Sequence, residues 1–304
     1  MDTLTHVALG LGLAGLAHID PVVANNPEVA TAVMACTLIA QQAPDSDLVL
    51  RIGGNALYTR EHRGTSHSLP AIPLWTFLTA GIVHWFNPEA PFLTLLLWSF
   101  IGVFVHILSD VFNSYGTKAL WPVHKKWIHL HVIPIFDPFL FATHVITLIL
   151  WKAGNLPPAP LFMGLYLIIV GYYAWRCLER ADVSRKLEKS DTIIPTFSWT
   201  IWNVIRKRED GSYQLGEWRN GELEWQMKVA NDHHPAIEAS KTTREVSALL
   251  HFSIYSCATV QEIEQGYRVR WSDVRFRFKY RLPFGATVVL DKDFNIIKSK
   301  ISWG

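Results

Sequence analysis

The sequence predicts an α-helical polytopic membrane domain of about six spans followed by a small, mainly-β cytoplasmic domain. Three observations predict it: an apolar composition, an uneven partition of charge, and a change of periodicity near residue 191. Half of the 304 residues are apolar and 18% are charged, with 13 Trp, 16 Phe and a mean hydropathy of +0.16. Seven of the 28 Lys and Arg precede Arg176, and the other 21 begin with it. A soluble domain spreads its charges along its whole surface, so this chain divides into an oily part, residues 1–178, and a wet part, residues 191–304.

Apolar segments recur at residues 4–19, 29–43, 69–86, 92–112, 139–152 and 160–175, and several approach the 17 to 25 residues that a bilayer core requires. The first, second and fifth are short. The connections at 44–68 and 113–138 hold Arg51, Arg60, Arg63, Lys118, Lys125 and Lys126, whereas those at 20–28, 87–91 and 153–159 hold no Lys or Arg. Under the positive-inside rule an even number of spans then places both termini and the two long connections in the cytoplasm of a bacterial plasma membrane. Met1 to Thr5 carry Asp2 and no basic residue, unlike the start of a cleavable signal peptide, so the first apolar segment is expected to be retained.

The wet part alternates with period two over residues 197–205, 212–217, 266–271, 274–280, 286–290 and 294–301, the pattern of half-buried strands. Turn signals stand at Glu209-Asp210-Gly211, Asn220-Gly221 and Asp291-Lys292-Asp293. Residues 238–256 read as one amphipathic helix.

Cys36, Cys177 and Cys257 are too few and too scattered for a disulfide framework or a zinc knuckle, and a net charge of +2 implies no nucleic-acid partner. The chemistry gathers elsewhere. His106 and Asp110 stand four apart in an apolar helix, facing the same way at a spacing suited to one metal ion. His62 and His67 add imidazole nitrogens, and Asp45 and Asp47 add hard oxygens able to bridge ions or act as a base. His6 opens the first apolar segment and Asp137 precedes the fifth. In the deduced topology all of these fall at one membrane face, where ionisable groups are costly unless paired or metal-bound. Arg63 offers a forked donor set for an anion such as phosphate. The metal set is therefore His6, Asp45, His62, His67, His106, Asp110 and Asp137, with Asp45, Asp47 and Arg63 as the catalytic candidates. Asp137 before Pro138 has a plainer reading as a helix cap, and Arg63 as a positive-inside anchor.

These residues resemble a known family. Thr5-His6, Pro44-Asp45-x-Asp47, His62-Arg63-Gly64-Thr65-Ser66-His67-Ser68, His106-x-x-x-Asp110, Asn113-Ser114-Tyr115-Gly116-Thr117 and Asp137-Pro138 are together similar to the YdjM/YfhP-type bacterial inner-membrane proteins, described as membrane-bound metal-dependent hydrolases. The run from Arg268 to Phe276 resembles that family's strand segment. A looser likeness, carried by His106-x-x-x-Asp110, is to the helical zinc phosphoesterases that include bacterial phospholipase C and the S1/P1 nucleases. Those have no membrane spans, and this chain lacks a second plain His-x-x-x-Glu, so the likeness leaves the number of metals open.

The expectation is thus a membrane-embedded hydrolase with a divalent metal, zinc in type, facing the cytoplasm. Its position at headgroup depth suits a phosphoester or a lipid-linked ester, with membrane lipids as its surroundings. The alternatives are a metal-binding or transport protein without bond cleavage and a regulatory protein that displays its β tail. Transport calls for polar groups through the whole membrane depth, and the far-side connections are nearly bare.

Overall fold

The computed structural model describes residues 1–154 and 156–303. The chain divides into two compact units, Met1–Ser46 with Arg63–Ala181 and Asp47–His62 with Asp182–Gly304.

The first unit is helical. Each expected apolar segment forms a helix: α1 (Thr3–Leu16), α3 (Pro27–Gln42), α5 (Ala71–Phe86), α6 (Phe92–Phe112), α7 (Pro138–Lys152) and α8 (Pro158–Lys186), with a short α2 (Pro21–Ala24) between the first two. Six spans do not follow from this. Among the described residues, α6 and α8 alone are long and apolar enough to cross a membrane, or three spans if the bent pair Asn55–His67 and Ala71–Phe86 counts as one. α1, α3, α5 and α7 have 14 to 16 residues, roughly 21 to 24 Å at 1.5 Å per residue against a hydrocarbon core of about 30 Å. Caps cut them short. Asp2 accepts a hydrogen bond from Thr5 N at the start of α1, and Pro27 and Pro138 take up first-turn positions of α3 and α7. The orientation argument, which drew on an even number of spans, loses that support.

Close helix approach holds this unit together. A Cβ on Gly15 of α1 would collide with the ring of Phe162, and one on Gly102 of α6 would lie 2.7 Å from Ala40 Cβ, so hydrogen at these positions lets the ring seat against α1 and lets α3 approach α6. Val33 and Cys36 of α3 pack with Val83, Leu95 and Trp98, while Leu9, Leu140, Phe162, Leu165 and Ile169 form a second cluster.

The second unit contains a short helix α4 (Asn55–Glu61) and two antiparallel four-stranded sheets. One has the order β1 (Thr192–Pro195), β2 (Ile201–Lys207), β3 (Tyr213–Arg219), β4 (Glu222–Val229). The other has the order β5 (Ser256–Ile263), β6 (Gly266–Asp273), β7 (Phe284–Leu290), β8 (Ile296–Trp303). Ile194, Ile205, Tyr213, Leu215, Cys257 and Val274 share one core between the sheets. Asn220 and Gly221 both take positive φ, 52° and 88°, and close the hairpin that pairs Arg219 with Glu222.

Three expectations change here. Residues 238–256 form two helices, α9 (Pro235–Ser240) and α10 (Arg244–Phe252), because Thr243 starts a new cap by accepting from Val246 N, and Ser256 already belongs to a strand. Residues 274–280 are no strand. Asp273 caps a 3-10 turn over Val274–Phe276, and a tight loop follows. β1, β4 and β5 are additional strands, of which β4 alternates strictly, Leu223, Trp225, Met227 and Val229 against Glu222, Glu224, Gln226 and Lys228.

Candidate metal centre

The site is built in the first unit from four segments. The end of α3 and the turn after it supply Gln41 and Asp45, a 3-10 turn at Thr65–His67 supplies His67, α6 supplies His106 and Asp110, and α1 supplies His6. α1, α3 and α6 pack directly against one another, which brings residues about 100 positions apart into contact. Ser68 Oγ donates to Thr65 O at 2.6 Å and Trp75 Nε1 to Ser66 O at 3.0 Å, fixing the turn that carries His67.

Asp45, His67, His106 and Asp110 each aim one donor atom at a common point, all within 4.8 Å of one another. His67 Nε2 lies 3.1 Å from His106 Nε2 and 3.3 Å from oxygens of both Asp45 and Asp110. His106 Nε2 lies 3.5 Å from Asp110 Oδ2 and 3.8 Å from Asp45 Oδ1. A tetrahedral ion with bonds near 2.1 Å separates its ligands by about 3.4 Å. Five of the six edges therefore match the spacing that one small divalent ion requires.

Hydrogen bonding at the backs of the rings aims the lone pairs inward. His106 Nδ1 is 2.7 Å from the backbone carbonyl of Gln41, which can only accept, so Nδ1 carries the proton and Nε2 of the neutral ring presents a lone pair. His6 Nδ1 is 3.0 Å from Gln41 Oε1, whose amide nitrogen donates to Gly102 O at 2.9 Å. That orientation fixes His6 in the same tautomer. Its Nε2 then points at Asp110 Oδ1, 3.6 Å away, and its ring stacks on His106 at 3.8 Å.

The buried atoms His6 Nε2, Asp45 Oδ1 and Asp110 Oδ2 have no hydrogen-bond partner. Lone pairs facing carboxylate oxygens in a dry interior repel unless a cation stands among them. The donor set thus fits a metal ion. Burial would raise the Asp45 carboxyl, but the neighbouring His67 imidazole and the positive field of the Arg63 guanidinium prevail and hold it well below the usual carboxylate range. Asp45 is also the one member with appreciable exposure, its side chain being 19% accessible.

Arg63 belongs to the same cluster as a counter-charge. Nη2 is 3.2 Å from Asp110 Oδ1 and donates to Met1 O at 2.8 Å, and the guanidinium lies over the Tyr115 ring at 4.8 Å. Asp110 Oδ1 also accepts from the Met1 amino group and from Asn113 Nδ2 at 3.1 Å. Asn113 Oδ1 in turn accepts from Tyr115 N and Gly116 N, and Gly116, at φ +76°, lets Thr117 pair with Ile128. The Asn113-to-Thr117 motif is a brace for Asp110.

Asp47, His62 and Asp137 have partners of their own. Asp47 and His62 pair with each other at 2.7 Å within the second unit, where His62 stacks on Tyr58. Asp137 caps α7, its Oδ1 accepting from Phe139 N and Leu140 N, and its Oδ2 accepts from Tyr172 OH at 2.8 Å. Gln41 is the residue that sequence reasoning missed. A glutamine at a helix end carries no metal signature, and half of its contribution here is a backbone carbonyl; the only hint was its place four residues before Asp45.

Comparison with known proteins covers nearly the whole chain. The family model for the YdjM inner membrane protein matches residues 1–183, and that for the YfhP C-terminal alpha/beta plait domain matches residues 235–304. YfhP of Bacillus subtilis (strain 168) is 38% identical over 313 residues, an alignment that takes in 100% of this chain and 95% of the relative. No solved structure matches.

Proposed function

The chain belongs to the YdjM inner membrane protein family, and on that premise we propose that it is a membrane-embedded, multi-pass metal-dependent hydrolase with its site toward the cytoplasm. The observation that carries the reading is the gathering of one donor atom each from Asp45, His67, His106 and Asp110 within 4.8 Å of one another, with Asp45 Oδ1 and Asp110 Oδ2 buried and without a hydrogen bond. Two imidazoles and two carboxylates are a donor set suited to Zn2+. Such an ion, when bound, supplies Lewis acidity and lowers the pKa of water at neutral pH.

The chain's own groups have separate tasks. Gln41 holds two imidazoles in the tautomer that turns Nε2 inward. Arg63 offsets the charge of Asp110 and must leave it to meet an anionic phosphate. Asp45, ionised and partly exposed, is the ligand of the set that solvent reaches. A phosphoester or lipid-linked ester is the substrate class that suits an arginine and a metal at headgroup depth.

The burial of His67, His106 and Asp110 favours a second reading, an ion held without bond cleavage. One experiment separates the two. Metal analysis of detergent-purified wild type, His67→Ala and His106→Ala is run beside a phosphoesterase screen on the same samples. Bound zinc and turnover lost together support the hydrolase, zinc without turnover on any ester supports the second reading, and full metal retention in both variants refutes the site.

A further inference from the structure

The loop between β6 and β7 in the second unit has a build that its fold does not require. Phe278 and Arg281 close a two-residue turn, Phe278 N donating to Arg281 O at 2.9 Å and Arg281 N to Phe278 O at 3.0 Å. Lys279 sits at its apex with φ +53°, a left-handed position that glycine occupies without cost. Phe278 and Tyr280 are 66% and 75% exposed. Lys279 and Arg281 are exposed as well, with no carboxylate at salt-bridge distance among the described residues. Two bare aromatic rings and two uncompensated cations therefore share four consecutive residues.

The base of the loop is rigid. Arg275 is clamped on Asp273 at 2.7 Å and lies over the ring of Phe252. Arg277 donates to Asn203 Oδ1 at 2.8 Å and pairs with Glu217 at 3.2 Å. Asn203 is two residues into β2 from the β1–β2 turn, whose Phe197 and Trp199 are 66% and 48% exposed. The anchored loop is thus bonded to a strand whose leading turn carries two more exposed rings.

We infer that the Phe278–Arg281 tip is an anchor for an anionic bilayer surface, its rings entering the headgroup layer and Lys279 and Arg281 meeting lipid phosphates. Aromatic rings flanked by Lys or Arg suit that layer, where one end of each group is apolar and the other wet. Each basic side chain near an anionic leaflet adds to the attraction. Along the chain, five residues, 187–191, separate the apolar helix α8 from β1.

Hydrogen exchange on the full-length protein in nanodiscs tests this. Peptides covering residues 276–284 are expected to exchange severalfold more slowly in phosphatidylcholine mixed with phosphatidylglycerol than in phosphatidylcholine alone. Added salt, which screens exposed charges, should return the slow rate to the fast one in the unmodified protein. The double variant Lys279→Glu with Arg281→Glu should do the same while the turn at Asp291 to Asp293 stays unchanged. Equal exchange in both lipids overturns the proposal, and so does protection that persists in high salt or in detergent, which would mark a protein contact.

Discussion

The backbone carbonyl of Gln41 lies 2.7 Å from Nδ1 of His106, and this single bond decides which face of the imidazole looks into the site. The same residue's side chain does the equivalent for His6. Gln41→Ala leaves the bond from His106 intact and frees His6 alone. Groups that orient ligands typically contribute 10- to 100-fold in metal affinity, so a loss of about 10-fold is expected, read by competition with a chromophoric chelator. Unchanged affinity would show that His6 is merely packed beside the ligands.

Asp110 has partners of different kinds, the His67 and His106 imidazoles on Oδ2 and, on Oδ1, Arg63 with the Met1 amino group, Asn113 and His6. Asp110→Asn leaves the guanidinium of Arg63 buried without its counter-charge, a change that costs about 3 to 5 kcal/mol. Thermal unfolding in detergent with chelator present isolates this from metal loss. Arg63→Met on top of Asp110→Asn is expected to recover much of the stability but none of the metal.

Asp137 separates structural from chemical roles. Its oxygens serve two backbone amides and Tyr172. Asp137→Ala should lower stability by about 1 to 2 kcal/mol, the range for a lost helix cap, while the metal content of the purified protein stays at the wild-type value. Depleted metal would reassign Asp137 to the site.

Acid should weaken the metal-free protein through Asp45. Its carboxyl is held below its ordinary value in the folded state, so it contributes stability above a pH of about 3.9, the unfolded value. That contribution is lost as pH falls further toward the folded pKa. Melting temperatures recorded in chelator between neutral pH and pH 3 should fall more steeply for wild type than for Asp45→Asn; parallel curves would refute the assignment.

How much was legible beforehand differs from element to element. Helix positions were readable because lipid-compatible segments are long uninterrupted apolar runs, and the family likeness was readable because the run from Arg63 to Ser68 is distinctive. Span number was not. It depends on where Asp2, Pro27 and Pro138 begin their helices, and a few capped residues shorten a helix below bilayer thickness without changing the hydropathy of its middle. In the tail, one helix became two because a threonine cap at Thr243 outranks the amphipathic pattern around it.

By itself the sequence determined the division into oily and wet parts, the helical segments, and a pool of imidazoles and carboxylates, since composition and periodicity are properties of the chain. Tertiary structure alone decided which of the pool meet. His6, Asp45, His67, His106 and Asp110 converge because α1, α3 and α6 pack together, whereas Asp137 is drawn into a cap and Asp47 into a pair with His62. Distances of 3 to 4 Å between groups 40 to 100 residues apart arise from helix packing and from hydrogen bonds to backbone carbonyls, and neither leaves a mark in the order of side chains.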